Sequence, residues 1–153
     1  MGRMPIDAVV ISAGALTSID SATLYRILAL RVDVFVVEQH CAYPELDGRD
    51  LDPATRLVWA ARGDAVLATL RLLFEPDGTA RIGRVATAAD ARGSGLAGAL
   101  IDRALELAGP ATVELHAQSY LVDWYGRFGF EVCGAEFLDD GIPHTPMRRE
   151  PPR

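Results

Sequence analysis

Residues 80–108 read ARIGRVATAADARGSGLAGALIDRALELA, and the stretch changes period in its middle. Ala80 to Thr87 reads as a strand. From Gly95 to Ala108, the apolar positions Leu96, Ala97, Leu100, Ile101, Ala104, Leu107 and Ala108 form a broad helical stripe. Gly109-Pro110 then ends the helix, as expected just past a helix terminus. Between strand and helix lie Ala88-Ala89-Asp90-Ala91 and the turn Arg92-Gly93-Ser94-Gly95. Such a junction has a physical use. The amides of a helix's first turn have no intrahelical partner and carry the positive end of the dipole. Glycines let a phosphate approach that backbone closely, and Arg92 adds a charge that persists at physiological pH.

Outward from this junction the pattern gives a mixed sheet. Ile6 to Ser12 is apolar and β-branched and reads as a short buried strand. Ser18 or Asp20 can cap a helix whose one face carries Leu24, Ile27, Leu28 and Phe35, with Arg31 on the same face. Cys41 to Pro53 is polar, with two prolines and Gly48, and reads as a loop. Leu57 to Ala61 and Ala65 to Phe74 read as strands joined by the hairpin signal Arg62-Gly63-Asp64. Glu75-Pro76-Asp77-Gly78 turns the chain into the Ala80 strand, completing an antiparallel meander. Downstream, Thr112 to Ala117 reads as a strand and Leu121 to Phe128 as a short helix. Phe130 to Phe137 and His144 to Arg149 read as final strands across Asp139-Asp140-Gly141. The order predicts one α/β (α+β) domain over residues 1–153, a mixed and mostly antiparallel sheet with helices on both faces.

The composition narrows the partners. A chain of 153 residues, 50% hydrophobic, can bury a full core without disulfides or metals. The net charge of −6 argues against nucleic acid, which needs clustered Lys and Arg. It favours, as a long-range field, a cationic acceptor. The opening residues and the apolar run Ala8 to Ala13 are too short for a signal core or a membrane span, so a cytoplasmic protein is expected, away from membranes. Cys41 and Cys133 lack metal-ligand spacing and read as reduced thiols. Asp47, Asp50 and Asp52 lack the glycine and terminal Glu spacing of a calcium loop, so no metal is expected.

Two common phosphate loops do not fit residues 92–97. The P-loop needs a lysine at its end, which is missing here. The dinucleotide fingerprint needs spaced glycines in a parallel βαβ unit, whereas the preceding strand reads as part of an antiparallel meander. Arg92-Gly93-Ser94-Gly95-Leu96-Ala97 instead resembles the Arg/Gln-x-x-Gly-x-Gly/Ala loop of the GNAT acetyltransferase superfamily. The resemblance implies acetyl-coenzyme A as co-substrate. The amides of Arg92, Gly93, Ser94, Gly95, Leu96 and Ala97 would hold its pyrophosphate, and Val85, Ala86 and Thr87 would offer backbone amides to the acetyl carbonyl.

The segment from Asp123 to Phe130, DWYGRFGF, resembles the family's Phe-Tyr-x-x-x-Gly-Phe segment, which makes Tyr125 the corresponding general acid. A phenol with a pKa of about 10 is protonated at neutral pH and able to donate to a leaving thiolate. Packing beneath the sheet is the other reading of Tyr125. The family's Asn seven residues earlier is Gln118 here. The run from Leu30 to Gln39, with Cys41, Tyr43, Glu45-Leu46-Asp47-Gly48, Asp140-Gly141-Ile142-Pro143-His144 and Met147, is similar to the ElaA-like branch of the superfamily.

The acceptor side is less specific. Arg31 on an apolar face needs a partner: Glu38, Asp47 or a substrate carboxylate. Glu38 can serve as a general base for an ammonium substrate or as a loop anchor. His116 and His144 suit proton transfer or substrate binding at neutral pH, or are structural. The expected reaction is direct attack of a primary amine on the thioester, in a monomer or homodimer, with neither cysteine needed as a nucleophile. Two other classes remain. One is a non-catalytic acyl-coenzyme A sensor. The other is a relative of acyl-homoserine lactone synthases, which share an Arg-x-x-Val-Phe segment and use S-adenosylmethionine and an acyl carrier protein.

Overall fold

The computed structural model describes residues 8–41 and 44–152. Tyr43 and the first residues of the expected N-terminal strand lie outside them. The elements run β1 (Val9–Gly14), α1 (Ser21–Arg31), β2 (Arg56–Arg62), β3 (Ala65–Phe74), β4 (Ala80–Thr87), α2 (Leu96–Ala108), β5 (Val113–Gln118), α3 (Val122–Gly126), β6 (Glu131–Val132), β7 (Phe137–Asp139) and β8 (Ile142–Arg149). One sheet forms in the order β1-β2-β3-β4-β5-β8-β6, with β7 also paired to β8. All its pairings are antiparallel except β4 with β5. The expected fold class is the observed one.

Strand alternation puts the two sides of β3 to different uses. Leu70 and Leu72 enter the main core with Leu100, Ile101 and Ala104 of α2. Arg71 points to the other face, where α1 packs and where its guanidinium joins a charged cluster. Asp20 caps α1, accepting from the amide of Thr23 at 3.2 Å. Gly98, in the first turns of α2, lets that helix approach α3 closely: an added Cβ would lie 3.3 Å from the Phe128 ring.

Three features depart from the sequence-based expectations. First, the helix after Arg31 does not end but widens into a π-helical segment, Val32–Glu38. Its bonds reach five and six residues, from the Gln39 amide to the Val34 carbonyl and from Cys41 to Phe35. Second, the expected strand from Phe130 to Phe137 is broken. Glu131 and Val132 pair with Arg148 and Met147, then residues 133–136 loop out before Phe137 meets His144. Pro146, opposite that gap, has no amide to continue the ladder. A Cβ on Gly134 would come within 3.1 Å of the Pro146 ring. Third, β4 and β5 are parallel neighbours joined through α2, so a βαβ crossover does exist. Its glycines, Gly93, Gly95 and Gly98, even have dinucleotide-fingerprint spacing. The pairing covers only Ala80 with Val113 and Arg81 with Glu114, and then the two strands part. That short pairing, between antiparallel neighbours on both sides, separates this sheet from a doubly wound one.

Candidate active site

The parting of β4 from β5 opens a cleft of about 670 Å³. From Ile82 onward the β5-facing edge of β4 has no strand partner, so its outward peptide groups are open to the cleft. A bulge aims them: Arg84 and Val85 together oppose Leu70, between the pairs Thr69 with Ala86 and Arg71 with Gly83. Arg84 takes φ 52°, a left-handed conformation uncommon for a side chain of its size. Such strain persists only where the surroundings enforce it, and it clusters at functional positions. Val85, Ala86 and Thr87 all line the cleft.

At one end the cleft reaches the turn before α2, and Arg92, Gly93, Ser94, Gly95, Leu96 and Ala97 all line it. Gly93 and Gly95 have φ of 80° and 82°, which gives those positions to glycine. The first intrahelical bond comes from the Ala99 amide to the Gly95 carbonyl, so the amides of Leu96, Ala97 and Gly98 are left for a ligand. The Ser94 hydroxyl is occupied, donating to the Ala91 carbonyl. Arg92 donates through Nε to the Thr87 carbonyl at 3.2 Å and through Nη2 to both oxygens of Glu38 at 2.8 Å.

That last contact revises the reading of Glu38. It does not line the cleft, and both its oxygens are held by Arg92. Arg31 is corrected as well. Rather than facing a substrate, it is 1% exposed beneath the loop. Its Nε binds Glu45 at 2.7 Å, and Nη1 and Nη2 bind Asp50 at 2.7 and 3.1 Å. Neither Glu38 nor Asp47 is its partner. The cluster extends through Arg71, which binds Asp47 at 2.7 and 2.8 Å, and Arg84, which binds Glu45 at 2.9 Å. The hydrogen bonds from Arg71, first, hold the Asp47 carboxyl well below its usual range, against an opposing desolvation. The acidic residues 47 and 50 thus serve arginines.

Tyr125 comes from α3 and lines the cleft while 6% exposed. Its ring packs edge-on against Trp124 and Phe130. Burial, and to a lesser degree Tyr120, pushes its phenol up to about 12. Tyr125 thus packs beneath the sheet and also borders the cleft. Gln118, at the end of β5, donates to the Gln39 side chain at 3.2 Å and so ties the π-helical segment to the far side of the cleft.

His116 and His144 both line the cleft and flank the ring of Phe137. They differ in what their nitrogens are doing. Arg81 Nη1 lies 3.4 Å from His116 Nε2, and a guanidinium can only donate, so that lone pair is engaged. Desolvation first, then Arg81 and His144, hold the His116 imidazole below its ordinary value and so neutral. In His144, Nδ1 lies 2.8 Å from the Ile142 carbonyl, which can only accept. Nδ1 therefore carries the proton, and Nε2 of the neutral ring is left as an acceptor. Sequence reasoning missed the arginines at this end of the cleft: Arg49, Arg71, Arg81 and Arg84 are scattered along the chain, and the loop carrying Arg49 meets β3 and β4 only in the fold.

Cys41 is buried and Cys133 exposed, and both are free thiols. Burial, first, raises the Cys41 thiol, which disfavours the nucleophilic thiolate. Among the described residues no helix is long and apolar enough to cross a membrane.

Known proteins are similar to this chain in sequence and in fold. Residues 29–151 match the family model described as an acetyltransferase (GNAT) domain. A UPF0039 protein of Mycobacterium tuberculosis is 50% identical over 135 residues, covering 86% of each chain. The crystal structure of an acyl-CoA N-acyltransferase from Pseudomonas aeruginosa superposes with a TM-score of 0.87 at 41% identity, over 93% of this chain and 99% of that one. That of Escherichia coli ElaA superposes with a TM-score of 0.88 at 32% identity, over 94% and 100%. A glycine turn opening a helix, a parted pair of strands and a tyrosine on the cleft between them thus occur together with relationship across nearly the whole chain, and the protein belongs to the GNAT acetyltransferase family, in its ElaA-like branch.

Proposed function

We propose that the protein transfers an acetyl group from acetyl-coenzyme A directly to a primary amine. The observation that carries this reading is the parted β4–β5 edge running into the unpaired amides of α2, with Tyr125 on the same cleft. The residues present fit the co-substrate. The amides from Gly93 to Ala97 suit a pyrophosphate, and Arg92 adds a cation beside them. When bound, acetyl-coenzyme A supplies the activated thioester. The open peptide groups at Val85 to Thr87 donate to the acetyl oxygen as charge develops on it, often the largest contribution to such catalysis. Tyr125 holds its proton at neutral pH and gives it to the departing sulfur. The amine must arrive deprotonated. With Glu38 engaged by Arg92, Nε2 of His144 is the acceptor best placed on the cleft wall.

Two results test these roles. Thiol release with a broad panel of amines reads the reaction itself, and absence of turnover with tight coenzyme A binding would leave a sensor instead. Tyr125→Phe is expected to lower kcat by about a hundredfold, the low end for general-acid catalysis because a thiolate leaves readily. Cofactor affinity should be unchanged. Among the described residues the Tyr125 hydroxyl has no partner to lose, so stability should also hold, and an undiminished kcat would remove Tyr125 from the acid role. His144→Gln is expected to lower kcat/KM for the amine by about a hundredfold while leaving coenzyme A affinity unchanged. An undiminished kcat/KM would return the base role to a water chain or to Glu38.

A further inference from the structure

The end of the cleft away from the glycine turn is walled by arginines. Arg49, Arg71, Arg81 and Arg84 line it, against two carboxylates among the described residues, Asp47 and Asp139. The acids that balance these guanidiniums stand behind them. Glu45 and Asp50 are each 5% exposed and do not line the cleft. Glu75 also lies off the lining and is shared: it binds Arg49 at 2.6 Å and is 4.0 Å from Arg81 Nε. Asp47, on the wall itself, is held by Arg71 and lies 3.5 Å from Arg84, while the countercharges Glu45 and Asp50 face the protein.

Two of the guanidiniums are under-used. Arg71 is 5% exposed and holds Asp47 and Asp50 through Nη1 and Nη2, but its buried Nε has no partner among the described residues. Directly across the β3–β4 pairing stands Gly83, which lines the cleft and puts no side chain over that N–H. A Cβ there would sit 4.0 Å from Nε. Arg81 has no carboxylate within hydrogen-bonding distance among the described residues, only the 4.0 Å approach to Glu75 and the contact with His116. A guanidinium with free donors in a partly closed cleft is suited to a planar carboxylate.

We propose that the acceptor is an amine that also carries a carboxylate, an amino-acid-like molecule held by Arg81 and the Nε of Arg71 with its amino group towards His144. This rests on the acyl-transfer reading of the same cleft. The chain's net charge of −6 does not oppose it. Fields from distant exposed charges are screened within about 8 Å at physiological salt, whereas the wall acts at contact.

The test uses matched acceptors: amino acids, their amides, and a polyamine, each with acetyl-coenzyme A and thiol release as readout. Amino acids should exceed their amides in kcat/KM by at least about tenfold, the value of one charge-assisted hydrogen bond. Arg81→Gln, at a half-exposed position that leaves the buried cluster intact, should raise KM for the acid by a similar factor. The amide KM and the acetyl-coenzyme A KM should stay unchanged. Arg71→Lys should reduce the same preference, and Arg81→Gln answers the question even if the Arg71 variant does not fold. Turnover of amides or polyamines at least as fast as of acids would overturn the inference while leaving acyl transfer intact, as would an unaltered acid-to-amide ratio in Arg81→Gln. Absence of thiol release from every amine would overturn the proposed function and this inference with it.

Discussion

Arg31→Met is expected to cost the protein about 3–5 kcal/mol, the usual penalty for breaking a buried ion pair from one side. Arg31 is 1% exposed, and its guanidinium is the shared partner of Glu45 and Asp50, which are nearly as buried. Removing it leaves two carboxylates that Arg84 and Arg71 only partly satisfy. One oxygen of Glu45 already lacks a hydrogen-bond partner among the described residues, so the cluster has little slack. In a chain of this length each kcal/mol moves Tm by about 2–4 °C, so the fall should be on the order of 6–20 °C. Thermal and urea unfolding of the variant measure it. A loss below about 1 kcal/mol would mean that the two carboxylates find other partners or protonate cheaply. Lysine should not rescue fully, because Arg31 binds through Nε and both Nη atoms in a fork that an ammonium cannot reproduce.

The second large effect concerns binding rather than folding. Gly95→Asp should weaken coenzyme A affinity by on the order of a hundredfold or more. Two unit charges 4 Å apart at a protein surface interact by about 4 kcal/mol, and each 1.4 kcal/mol is a factor of ten in affinity. The site is sterically permissive: a Cβ at Gly95 would meet nothing within 4 Å. Its φ of 82° is one that aspartate tolerates better than most residues. The variant should therefore fold and fail specifically at the phosphates, which calorimetry with coenzyme A would show directly. Affinity within threefold of the parent would mean that the pyrophosphate binds elsewhere. Arg92→Glu should act in the same direction, with the added repulsion of Glu38, which now holds Arg92 through both oxygens.

The regular elements were readable wherever local chemistry sets them. Ala65 to Phe74 and Ala80 to Thr87 form as expected because Gly63 and Gly78, both at positive φ, fix the turns that bound them. The α2 helix begins one residue late, at Leu96, because Gly95 itself supplies the left-handed turn. The misses share a different cause. The gap in the strand after Phe130 depends on Pro146, which arrives from another part of the chain. The π-helical turn ending at Glu38 is tied through that residue to Arg92, 54 positions away, and through Gln39 to Gln118, 79 away. No window of neighbouring residues contains those partners.

The sequence by itself determined the glycine-turn end of the cleft: a strand, a turn needing positive φ, a helix after it, and the segment carrying Tyr125. These are short-range features, governed by backbone sterics and spacing. Only the tertiary structure decided the arginine-rich end. It paired Arg31 with Glu45 and Asp50 rather than Glu38 or Asp47, turned Glu38 onto Arg92, and gathered four scattered arginines onto one wall. Charged side chains are long and interact without regard to sequence distance. Their partners follow from how α1 and the 44–51 loop pack against β3 and β4, contacts between residues far apart in the chain.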